Sequence, residues 1–141
     1  MGAWIIAYIA TGIAFLGLDA VWLSFAANRL YRPQIGGLML DTFSVPPAAL
    51  FYLIYIGGIV VFAIAPALEP ESSGGGRWTA ALVRGALLGC LAYATYDLTN
   101  QATLKGWSST VTIADLCWGT FVTGAAATVG FLVLRWALAR G

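Results

Sequence analysis

Histidine is absent and cysteine occurs only twice, so neither a zinc centre nor a haem has its usual ligands. The two cysteines, Cys90 and Cys117, fall within apolar stretches, which reads as small buried hydrophobes rather than a disulfide framework. Without histidine the common hydrolytic schemes lose their base, leaving carboxylate-only acid–base chemistry open. No metal and no cofactor is expected. Charge is equally scarce. Lys, Arg, Asp and Glu make up 9% of the 141 residues while 60% are hydrophobic, against about 25% charged in a soluble domain. That balance excludes a water-soluble fold.

What is present is long and apolar. Crossing a hydrocarbon core of ~30 Å takes about 20 residues at ~1.5 Å each, and four runs qualify, at about 3–27, 46–68, 79–104 and 110–138. Breaker-rich connections separate them: Tyr31-Arg32-Pro33-Gln34-Ile35-Gly36-Gly37, then Pro66 to Gly76 with Pro70 and Gly74-Gly75-Gly76, then Lys105-Gly106-Trp107-Ser108-Ser109. Spanning barrel strands alternate over about 9–11 residues, whereas these runs are continuous. The expectation is an all-α integral membrane protein, a four-helix transmembrane bundle forming a single domain over 1–141. Ser24-Phe25-Ala26 resembles a signal-peptide cleavage site, but no positive charge precedes the run and Asp19 interrupts it. A retained helix fits better.

Topology follows weakly from basic residues. Four spans put both termini beside the second loop, where Arg77, Arg84, Arg135 and Arg140 gather, against Arg29, Arg32 and Lys105 on the other side. Termini are expected in the cytoplasm. Trp4, Tyr8, Tyr31, Tyr52 and Trp107 are placed in interfacial belts. Gly85-x-x-x-Gly89 and Ala126-x-x-x-Gly130 are close-packing motifs, assigned to seams inside the bundle. Gly74-Gly75-Gly76 lacks the Lys-Ser/Thr of a phosphate loop and reads as a linker; Ser72 and Ser73 have no base.

The acids carry the chemical signal. Asp19, Asp41, Asp97 and Asp115 fall toward the side of the first and third loops, Glu69 and Glu71 in the second. Asp19, Asp97 and Asp115 lie on three different helices, each roughly 8–12 Å below that surface. An ionisable group in a span costs about 2.5–3.5 kcal/mol, so it faces the bundle interior and finds a partner. On the third helix Tyr93, Asp97, Asn100, Gln101 and Lys105 follow steps of three and four, placing them on one stripe. The first and fourth share Asp19-x-x-Trp22 and Asp115-x-x-Trp118, setting an indole one turn beyond each carboxylate. Its N–H can donate to an acid on a neighbouring helix. The candidate binding cluster is therefore Asp19, Trp22, Arg29, Arg32, Tyr93, Asp97, Asn100, Gln101, Lys105, Asp115 and Trp118, with the basic side chains balancing the acids. The run Gly36-Gly37-Leu38-Met39-Leu40 is placed at the interface as a lid.

Three segments, Tyr31-Arg32-Pro33-Gln34-Ile35-Gly36, the stretch from Tyr96-Asp97-Leu98-Thr99-Asn100-Gln101 to Trp107, and Asp115-Leu116-Cys117-Trp118-Gly119, resemble the hallmarks of a bacterial family of small membrane proteins catalogued only as a domain of unknown function. The resemblance covers nearly the whole chain and implies a four-span inner-membrane protein. It implies no activity and no site residue. From the residues, the first function expected is binding or transport of a small polar or amphipathic solute at the aspartates, with a proton moving on Asp19, Asp97 or Asp115. Transport would require a homo-oligomer. A second is an enzyme acting on a lipid or isoprenoid by carboxylate acid–base chemistry, a third an accessory subunit packed through small-residue faces. Expected partners are the bilayer, a small solute or lipid, and a second copy, with no nucleic acid.

Overall fold

A computed structural model describes residues 1–69 and 77–141; the expected linker at Gly74-Gly75-Gly76, with Ser72, Ser73 and Glu71, lies outside the described residues. Four helices are long and apolar enough to cross a membrane: α1 Gly2–Leu38, α2 Val45–Ala67, α3 Trp78–Thr103 and α4 Ser109–Arg140. Among the described residues there is no strand. Large hydrophobics such as Ile13, Val21, Leu53, Leu91 and Ile113 are exposed around the perimeter, the surface a lipid phase covers.

Helix α4 is the axis of the bundle. Gly119, Val122, Thr123, Ala126, Ala127, Gly130, Phe131 and Leu134 are buried at steps of one, three and four residues, and its principal seams are with α3 and α1. Small residues make the closest approaches. A methyl group at Gly85 would sit 2.6 Å from the Ala127 side chain, and one at Gly89 would meet the Gly119 carbonyl and Thr123. At Gly130 it would meet Thr11 and Ile64. Both small-residue motifs are thus spent on internal seams.

The ends follow local chemistry. Val45-Pro46-Pro47 opens α2, where missing N–H groups cost nothing. Ser108 caps α4 by accepting from the Val111 N–H at 3.4 Å. Gly106, at φ 75°, supplies the left-handed residue that turns α3 into α4.

One helix is longer than the sequence indicates. Pro33 reads as a breaker, yet α1 continues through a π turn at Ala27–Tyr31, an α turn at Arg32–Ile35 and a 3-10 turn at Gly36–Leu38. Helix α2 repeats the device, with a π turn at Val60–Ile64 and Pro66 beyond it. In both, proline follows the π turn by two residues. A wider i→i+5 turn relieves the clash between a proline ring and the carbonyl four residues back, so the helix survives.

Candidate functional site

The aspartates meet at the end of the bundle that carries the α1–α2 and α3–α4 connections. Asp19 and Trp22, one turn apart on α1, oppose Asp115 and Trp118, one turn apart on α4, and the two pairs engage crosswise. The indole N–H of Trp118 donates to Asp19 Oδ1 at 3.2 Å, while the rings of Trp22 and Trp118 stack at 4.8 Å between centroids and 9° between planes. The N–H of Trp22 does not reach Asp115 directly. It donates to the hydroxyl of Tyr31 at 3.0 Å, and that hydroxyl donates to Asp115 Oδ1. Helix α2 completes the Asp19 shell, with Tyr52 donating to Oδ2 at 2.6 Å.

Tyr31 reaches this site because of the π turn. Nine residues of regular α-helix would place it about 180° from Trp22 around the axis. One residue added to a turn leaves it where an eighth residue would fall, about 80° away. Irregular turns of this kind recur at functional sites.

Asp97 lies deeper. It is wholly buried, and neither carboxylate oxygen meets an N–H or O–H donor. The group that faces it is the carboxyl of Asp115. A buried polar group left without a donor costs about 1–3 kcal/mol, so this arrangement is expensive for the fold.

Around Asp19 and Asp115 opens a cleft of about 510 Å³. Trp22, Tyr31, Phe51, Tyr52, Tyr93, Tyr96, Trp107 and Trp118 form its aromatic walls, and Ile35 and Met39 also line it. Tyr96 and Trp107 meet edge to face at 5.8 Å. Met39 belongs to the run Gly36-Gly37-Leu38-Met39-Leu40 and borders the cleft.

Of the sequence-derived cluster, Asp19, Trp22, Tyr93, Asp115 and Trp118 line the cleft, with Asp97 behind them. The others stand apart. Arg29 is exposed and lies over the Phe25 ring at 4.4 Å, and Arg32 and Lys105 are exposed as well; among the described residues, no Lys or Arg borders the cleft. Gln101 clamps the α3–α4 turn, donating to Ser109 at 2.9 Å and accepting from Thr112 at 2.9 Å. Asn100 is half-buried on the same helix and does not border the cleft. Missing from the sequence-derived set are Tyr31, Tyr52, Phe51, Tyr96 and Trp107. Their aromatic character signals an interfacial belt equally well, and only the i+3 spacing of Tyr93 and Tyr96 on α3 pointed toward the site.

Comparison with curated proteins and with solved structures returns no match. Residues 4–132 match a family model described as "Predicted membrane protein (DUF2177)", and the chain belongs to that family of membrane proteins of unknown function.

Proposed function

We propose that the protein binds a small amphipathic solute in the aromatic cleft between α1, α2, α3 and α4. The observation that carries this reading is the cleft itself: its volume of about 510 Å³ falls within the ~300–1,000 Å³ of small-molecule sites, which combine apolar walls with a few convergent polar groups. The buried Asp97 supports it, because an acid without a donor weakens the fold and is more intelligible as part of a site than as interhelical glue. Four spans give little room for an alternating-access path, so transport would take a second copy. Four basic residues, Arg77, Arg84, Arg135 and Arg140, against three on the other side lean toward cytoplasmic termini.

The test narrows the cleft from its rim. Leu23 borders it and is 43% exposed, so Leu23→Trp fills space without disturbing the core. Parent and variant are unfolded thermally in maltoside micelles against a panel of lipids and amphipathic solutes. At least one compound should raise the parent midpoint by several degrees and leave the variant unmoved. Equal shifts in both proteins, or none in the parent, would overturn the reading.

A second reading, acid–base chemistry on a lipid or isoprenoid, is favoured by one observation. Tyr31 donates to Asp115 at the wall of the cleft, which sets a hydroxyl and a carboxyl together where they can exchange a proton with a bound substrate. Asp115→Asn would then abolish product formation, and product formation that survives it would exclude this reading.

A further inference from the structure

The acids at the cleft are compensated only by neutral groups. Asp19 accepts from one indole and one phenol, and Asp115 accepts from one phenol. Asp97 adds a third acid and no donor. Neutral donors ease the burial of a carboxylate without cancelling its charge. Lys and Arg are absent from the lining among the described residues, so the missing positive charge is not supplied by the walls.

Those walls also select for a cation. Trp22, Trp118, Tyr52 and Tyr93 line the cleft, and an aromatic ring carries the negative part of its quadrupole on its face. A cation over such a face is attracted, most strongly where water is excluded. An anion would meet acids and π faces together.

Size and ligand chemistry narrow the class further. A proton would satisfy an acid but leave about 510 Å³ unfilled. Among the described residues, no group of three His, Cys, Asp or Glu side chains could hold a metal, and hard cations take six or more oxygen ligands. Resting on the binding reading above, we propose that the ligand is an organic ammonium ion with an apolar body. Its charged head sits between Asp19 and Asp115 against the tryptophan pair, and its body lies along Phe51 and Met39.

Three probes with a common tail separate the possibilities: hexyltrimethylammonium, 1-hexanol and hexanesulfonate. Each is titrated into the full chain in maltoside micelles, followed by tryptophan fluorescence, with Leu23→Trp as the control for partitioning into the micelle. The ammonium should bind the parent about tenfold more tightly than hexanol, a margin within reach of a desolvated cation–π contact beside a carboxylate. Asp19→Asn should remove most of that margin and leave hexanol unchanged. If hexanol or the sulfonate binds as well as the ammonium and Leu23→Trp blocks it, the charge assignment falls and the binding reading stands. If none of the three responds, the charge assignment falls; if the wider solute and lipid panel is also silent, the binding reading falls with it. Should Asp19→Asn fail to fold, the order of affinities in the parent decides alone.

Discussion

Adding one methyl group at Gly89 should damage the bundle more than adding the same group at Gly17. At Gly89 the new carbon would lie 2.7 Å from Thr123 Cβ and Oγ1, and closer still to the Gly119 carbonyl oxygen. Ordinary carbon–oxygen contacts are about 3.3–3.6 Å, so α3 and α4 must separate by roughly an ångström. Neither neighbour yields easily, since one is backbone and Thr123 is wholly buried and bonded to Tyr55 at 2.8 Å. Overpacking of this kind costs about 1–3 kcal/mol, occasionally more. At Gly17 nothing lies within 4 Å, and alanine there should be neutral or stabilising by up to about 1 kcal/mol through helix propensity. The pair should therefore differ by about 1–4 kcal/mol. The assay is unfolding by sodium dodecyl sulfate in mixed micelles, followed by far-ultraviolet circular dichroism. Equal stability of Gly89→Ala and Gly17→Ala would refute the close α3–α4 seam, and with it the placement of Tyr93, whose ring packs on Gly119.

Two further outcomes follow from single contacts. Tyr52→Phe removes the 2.6 Å hydrogen bond to Asp19 Oδ2 and should cost about 1–3 kcal/mol; in an Asp19→Asn background the loss should shrink, and an unchanged loss in the double-mutant cycle would show that the hydroxyl acts elsewhere. Gln101→Ala cuts the clamp to Ser109 and Thr112 and should lower stability by about 1–2 kcal/mol with faster amide exchange across the α3–α4 turn. Unaltered exchange there would contradict it.

Much of this arrangement is legible in the sequence, for identifiable reasons. Continuous apolar runs mark α2, α3 and α4 because lipid demands length, and length survives without knowledge of packing. Three aspartates at similar depth on three helices mark the candidate site because burying an acid is costly. The basic residues do not border the cleft, for a complementary reason. Arg29, Arg32 and Lys105 share a side of the membrane with the acids, but proximity along the normal says nothing about which way a side chain points, and Arg29 lies over Phe25. The continuation of α1 past Ala27 is hidden because Pro33 carries the same letter whether it ends a helix or follows a π turn. Tyr31 is lost with it, since its position around the axis depends on that one added residue.

The stacked indoles of Trp22 and Trp118 are also a pair of chromophores in van der Waals contact, one on each of two helices. Planes 9° apart at 4.8 Å couple their transitions, so the bundle carries an intrinsic optical gauge of the register between α1 and α4. A slip of one helix past the other by a single turn, about 5.4 Å, would uncouple them, and an occupant parting the rings would do the same.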